Sequence, residues 1–197
     1  MTLYSYVVAR DYGFAPNPFF GICTLATCKP RIRSAAKVDD WIIGTGSAAY
    51  GLVGRLVYVM KIDEILDYSA YWADPRFGNK KPNLQGSLKQ AFGDNIYRWD
   101  DENNHWIQEN SHHSQKDGTP NYANVAHDTQ AVNVLIGRDF VYWGRTGPRL
   151  PAQFHRVCAS RGHKSRFSKE FEESLVGWIR SLRTRGFAGD PSDFSCS

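Results

Sequence analysis

The sequence predicts an α+β fold: a small mixed or antiparallel β-barrel or half-barrel with flanking helices and a C-terminal amphipathic helix. Three observations predict it. Short β-branched and aromatic runs recur between glycine-rich turns, which is strand patterning. A single strong helical periodicity stands near the C-terminus. Strands and helices do not alternate, so no βαβ series is present. The chain has 197 residues, 42% hydrophobic and 22% charged, which is enough for one buried core and unlike a disordered or fibrous composition. The expected organisation is one domain over 1–197. It has a β-rich core at about 4–150, a basic segment and helix at 151–186, and a tail at 187–197.

The elements follow in order. "LYSYVVAR" near the start reads as a strand, and "GFAPNPFFG", with two prolines and two glycines, breaks it into an irregular loop. "DDWIIGTG" is a short apolar strand running into a turn. "GLVGRLVYVMKIDEIL" returns as its hairpin partner, with Gly54 suggesting a bulge or a close approach. A short helix is possible at the following "LDYSAYW", after which residues 72–130 are rich in Asn, Gly, Pro and Asp and offer few regular elements. A loop region of that length in a compact domain implies function. "AVNVLIGRDFVYWG", residues 131–144, reads as a second hairpin turning at Arg138-Asp139. In the last helix Phe171, Leu175, Trp178 and Leu182 step by four, three and four. Ser168 is its N-cap and Gly186 its stop.

Charge is uneven. The chain carries +4 overall, but residues 145–185 hold ten Lys/Arg against three Glu, so phosphate contact is expected there if anywhere. The start has no basic n-region with an apolar core, and no apolar run approaches bilayer length. The expectation is a cytoplasmic protein without a membrane. Cys23, Cys28, Cys158 and Cys196 are too few for a disulfide framework, and Cys196 beside the C-terminus has no expected role.

The residue types suggest four chemistries. A zinc site drawn from Cys23, Cys28, His112 and His113 is disfavoured, because "CTLATC" is an apolar segment suited to burial. A nucleophile reading combines Cys23, Cys28, Thr24 or Ser114 with His112, His113 or His127 and Asp94 or Asp128, without a local nucleophile elbow. "GTGS" lacks both the dinucleotide and the Walker patterns. Thr45 and Ser47 still offer hydroxyls there, against the plainer reading of a hairpin turn. Basic, flat and amide groups interleave from Trp72 to His113, a mixture that suits stacking and edge reading of bases. Tyr71 and Trp72 serve equally as anchors of the long loop.

Several motifs in order, "GFAPNPFFGICTLATCKPRIR", "DDWIIGTGS", "YWADPRFGNKKPNLQGS", "QAFGDNIY", "SHHS" and "VLIGRDFVYWG", resemble the nucleotide modification associated domain 2 family over about residues 4–150. The resemblance implies a role near nucleic-acid base modification or phage–host conflict. "CKPRIR", "KVDDWIIGTG" and "GLVGRLVYVMKIDEI" are also similar to ASCH, EVE and other PUA-like domains, although Asp39-Asp40 stands where their turn carries glycine. That similarity implies a cleft for a base or modified base, with Lys29, Arg31 and Arg33 at its rim and Trp41, Thr45 and Ser47 near its floor. The resulting expectation is a protein that binds a nucleotide or a modified base in nucleic acid. Tyr71 and Trp72 would stack, and Asp94, Asn95, His112 and His113 would bond base edges. The rival is an enzyme on a nucleotide or nucleobase, with Lys29 or a histidine as acid/base and Asp94 or Asp128 as partner. A third reading is an interaction or anti-defence protein binding a signalling nucleotide. No cofactor, metal or protein partner is named by these residues.

Overall fold

The computed structural model describes residues 1–195; Cys196, expected to have no role, lies outside the described residues. In chain order the elements are β1 (Leu3–Val8), β2 (Cys23–Leu25), α1 (Pro30–Ala35), β3 (Trp41–Gly46), β4 (Leu56–Lys61), β5 (Glu64–Asp67), α2 (Tyr68–Ala73), α3 (Leu88–Ala91), β6 (Tyr97–Asp100), β7 (His105–Gln108), α4 (Tyr122–Asp128), β8 (Asn133–Gly137), β9 (Phe140–Tyr142), β10 (His163–Lys164), α5 (Lys169–Ser181) and β11 (Gly186–Phe187). The fold is α+β, and its contacts gather into two compact units. Unit 1 comprises Met1–Asp11, Ala36–Asp63 and Gly137–Ser197, and unit 2 comprises Tyr12–Ala35 and Glu64–Ile136. Among the described residues no helix is long and apolar enough to cross a membrane.

Unit 1 is built on a six-stranded sheet in the order β10-β1-β3-β4-β9-β11. Its two ends are different strands, so among the described residues the expected barrel is an open sheet. The apolar run at 41–46 pairs in parallel with β1 and antiparallel with β4, which makes β3 a central strand and explains why it is buried along its whole length. The bulge falls between Gly44 and Thr45, not at Gly54. A Cβ on Gly44 would lie 2.3 Å from the Tyr58 ring, so only glycine lets that ring cross the strand. Helix α5 starts as expected, with Ser168 Oγ accepting from Phe171 N. Leu175, Val176 and Ile179 bury against Trp41, Ile43, Leu56 and Val59, while Phe171, Trp178 and Leu182 cover the margin. Each fully buried side chain of that kind contributes about 1.5–3 kcal/mol. The helix ends at Ser181, ahead of Gly186, because Arg183 takes a left-handed φ of 54°.

Unit 2 holds a three-stranded sheet, β2-β8-β5, and the hairpin β6–β7. The expected hairpin at 131–144 does not form: β8 pairs with β5, and β9 pairs with β4 and β11. Its turn is held by Asp63, whose Oδ2 accepts from the backbone N of Arg138 at 2.5 Å and of Asp139 at 3.4 Å. The loop-rich stretch 72–130 contains α3, the hairpin and α4, over a core of Phe14, Tyr68, Tyr71, Phe77, Tyr97 and Val134.

A buried cation fixes one edge of this unit. Lys80, 1% exposed, donates through Nζ to Asn17 O at 2.9 Å, Asn17 Oδ1 at 2.7 Å and Ile22 O at 2.6 Å. Burial pushes its pKa down to about 8, against the opposing pull of Asp94. Lys80→Met removes the ammonium from all three acceptors; Asn17 O keeps its bond from Thr24 N at 2.9 Å and Asn17 Oδ1 a long one from Phe19 N at 3.3 Å, and Ile22 O loses its charged donor, so a loss of about 1–3 kcal/mol is expected. Urea denaturation checks it; an unchanged midpoint would show that these acceptors find other partners.

Candidate active site around Cys28

The apolar strand β2 runs into a tight turn. Cys28 and Lys29 both take left-handed backbone, with φ of 57° and 44°, before α1 begins at Pro30. Two successive non-glycine residues in that region are costly, about 1–3 kcal/mol each, and persist only where the surroundings dictate them. Here they do. Cys28 N donates to Asp128 Oδ1 at 2.7 Å, and Ile32 N and Arg33 N donate to Lys29 O at 2.9 and 3.0 Å. Arg33 Nε donates to Cys28 O at 2.8 Å. The rest of the Arg33 guanidinium donates to Ala131 O at 2.5 Å, Asn133 O at 2.8 Å and Asp128 O at 2.5 Å. The arginine expected at a phosphate rim is instead 0% exposed and cages this turn.

The turn presents the Cys28 thiol to a histidine. Sγ lies 3.8 Å from His113 Nε2. On the other side of the ring, Nδ1 lies 2.9 Å from Asp128 Oδ2. Against a carboxylate Nδ1 is the donor, so Nε2 is left to take the thiol proton or, as imidazolium, to donate to the thiolate. Asp128 sits at the end of α4, is 0% exposed, and also accepts from Tyr97 OH at 3.0 Å. Gln108 Nε2 supports Tyr97 OH at 3.0 Å. Nucleophile, base and orienting carboxylate thus stand in the sequence that thiol catalysis needs.

Electrostatics agree with the geometry. Burial disfavours the charged His113 ring, but the Asp128 hydrogen bond and the Cys28 sulfur outweigh it and raise the pKa to about 9. Burial likewise opposes charge on Asp128, yet His113, Cys28 N and Tyr97 together hold its carboxyl below the usual value. The pair is imidazolium and carboxylate at neutral pH. Next to it, burial lowers the Lys29 pKa, with the Cys28 sulfur opposing.

Flat groups flank the pair. The His112 ring lies 4.4 Å from Tyr12, 5.2 Å from Phe92 and 5.3 Å from Phe14, and Phe14 lies 4.6 Å from His113. His112 is exposed, and Tyr12 and Phe92 are half-buried, so part of this wall is open to a planar ligand.

Of the residues expected at a site, Lys29 follows Cys28 in the turn, His113 faces its sulfur, His112 stacks 6.0 Å from His113, and Arg31 is exposed on α1. Trp72 is half-buried elsewhere in unit 2, with Lys81 Nζ 3.7 Å from its ring centre. Asp94, Asn95 and Tyr71, expected to stack on or bond a base, are buried. Asp94 accepts from Thr24 Oγ1 at 2.6 Å and Tyr71 OH at 2.8 Å, and Asn95 Nδ2 donates to Tyr71 O at 3.0 Å. Trp41, Thr45 and Ser47 belong to unit 1 and are buried there; Thr45 Oγ1 donates to Tyr6 O at 3.2 Å. Trp41 packs in the core of α5. Residue types alone put Cys28, His113 and Asp128 among many nucleophile combinations; their spacing of 85 and 15 residues gave no reason to choose them. Asp128, Tyr97 and Gln108 were absent from the expected binding set.

A family model described as nucleotide modification associated domain 2 matches residues 1–197, reaching beyond the motifs at 4–150. No curated protein and no solved structure matches the chain. A turn that aims a cysteine at a carboxylate-oriented histidine is therefore found in a chain that belongs, over its full length, to the nucleotide modification associated domain 2 family.

Proposed function

We propose that the protein binds a nucleotide or nucleobase, free or within nucleic acid, and acts on it through the Cys28 thiol. The observation that carries this reading is the line Cys28 Sγ, His113 Nε2, His113 Nδ1, Asp128 Oδ2, with separations of 3.8 and 2.9 Å at its two contacts. The family description supplies the substrate theme, and the partly open wall of rings around His112 and His113 suits a flat base. In the step proposed, Sγ forms a bond to an electrophilic carbon of the base. The π pair of that carbon moves to its neighbouring atom, the proton on His113 Nε2 passes to the atom that gained the pair, and the thiol proton refills Nε2. Asp128 orients the ring and stabilises its charged form.

The same three residues can be drawn as a metal site, since their ligand atoms lie within 4.8 Å of one another. The hydrogen bonds favour the thiol reading. Asp128 Oδ2 accepts from His113 Nδ1 and Tyr97 OH, and Oδ1 from Cys28 N. These three residues offer at most three ligand atoms, Sγ, Nε2 and the remaining lone pair of Oδ1, where zinc takes four.

The test is intact-mass spectrometry of the protein incubated with the common nucleotides and with short DNA and RNA strands, alongside elemental analysis for zinc. A covalent adduct or product that is absent with Cys28→Ser, while the variant melts as the wild type does, is the expected result. Stoichiometric zinc lost on the same substitution would replace the nucleophile with a metal centre.

A further inference from the structure

We propose that unit 1 carries a separate site for the phosphodiester backbone of nucleic acid, in the groove lined by Arg156, His163, Lys164, Ser165, Arg166 and Phe167. The groove has a volume of about 500 Å³ and no carboxylate in its lining. The segment around it is the strongly basic one: of its three acids, Glu170, Glu172 and Glu173, none lines the groove, and Glu172 is buried with its Oε1 accepting from Leu3 N.

The cations are held by rigid parts of the unit. His163 and Lys164 form β10, paired antiparallel to β1 at Tyr6 and Ser5. Lys164 Nζ donates to Arg156 O at 2.9 Å and Cys158 O at 2.8 Å, which pins the ammonium and leaves one donor. The Arg156 guanidinium lies 5.6 Å over the Phe171 ring, on which Phe167 stacks at 5.2 Å. Arg166 is exposed and has no ion-pair partner among the described residues. Three cations, two of them held in place and Arg166 free to reach, in an open groove with an aromatic edge match a chain of phosphates carrying flat bases, where a single phosphate would engage one or two of them.

Fluorescence anisotropy of a labelled 20-nucleotide strand from 50 to 300 mM salt tests the site, with AMP and inorganic phosphate as competitors. Each neutralised phosphate contributes about −0.7 to the log–log salt slope for a single strand, so three give about −2. Arg156→Gln with Arg166→Gln is expected to bring the slope to about −0.7 and to weaken binding at 100 mM salt at least about tenfold. That pair keeps Lys164 and its two carbonyl bonds, so folding is retained. The Arg156→Gln, Arg166→Gln pair should leave the rate of Cys28 alkylation unchanged, which separates this site from the thiol reading. A flat slope, an unaltered double variant, or competition by AMP equal to that of unlabelled strand would each overturn the proposal.

Discussion

Arg33→Met is expected to lower the melting temperature by about 6–20 °C, a loss of about 3–5 kcal/mol for a chain of this size. The guanidinium donates to four backbone carbonyls, those of Cys28, Ala131, Asn133 and Asp128, and its own carbonyl accepts from Asn133 Nδ2 at 3.1 Å. A methionine fills the volume and strips the charged donor from all four carbonyls, leaving Asp128 O only the long contacts from Ala131 N and Tyr68 OH at 3.4 Å. Lysine would keep the charge but offers three donors from one point, so Arg33→Lys should recover only part of the loss. Arg31→Met is the control: two residues away on the same helix and exposed, it should stay within about 0.5 kcal/mol of wild type. Because Arg33 also holds the left-handed turn at Cys28, any Arg33→Met protein that remains folded should show slower thiol alkylation at that position. Calorimetry without any ligand decides between the cage and a phosphate-binding role, since a rim arginine would leave the empty protein's melting temperature where it was.

Local patterning made part of this molecule legible. Strands β1, β3 and β4 and helix α5 carry their periodicity and caps in contiguous residues, and the Ser168 cap and the Leu175 face follow from spacing alone. The hairpin at 131–144 shows where that reasoning stops. Its apolar alternation was real, but pairing depends on which distant strand presents a free edge, and β5 and β4 lie about 70 or more residues away in sequence. The site divides in the same manner. Side-chain type singles out Lys29, His112 and His113, of which Lys29 adjoins Cys28, His113 faces its sulfur and His112 stacks on His113. Arg33 and Asp94 were chosen by the same rule, but a charged side chain serves a buried network as readily as a ligand, and only burial separates the two uses. Cys28 was set aside for its apolar neighbours; the strained backbone that turns it toward His113 leaves no mark in composition.

His113→Gln is expected to remove a pH dependence of stability that the wild type shows between about pH 6.5 and 9. The folded His113 pKa, raised to about 9, exceeds its ordinary value of 6.5. The stabilisation is therefore fully present below pH 6.5 and is lost as pH rises through 9. A shift of that size corresponds to about 3–4 kcal/mol. Lys80 works in the opposite direction, since its folded pKa of about 8 lies below the ordinary 10.5 and folding is relieved of a buried charge above that point. The quantity to compare is the difference between wild type and variant at each pH, or the wild-type slope between pH 6.5 and 8 alone. Parallel melting curves for the two proteins would remove the imidazolium–carboxylate pair from the account. The same variant tests the thiol, with internal standards in the chain. Burial pushes the Cys23 thiol up to about 12 with no exposed surface, and burial raises Cys158 as well. Site-resolved iodoacetamide labelling at pH 7 should modify Cys28 first. His113→Gln and Asp128→Asn should each slow Cys28 by at least about tenfold while leaving Cys158 unchanged, because the base acts at one sulfur and the carboxylate acts only through the base.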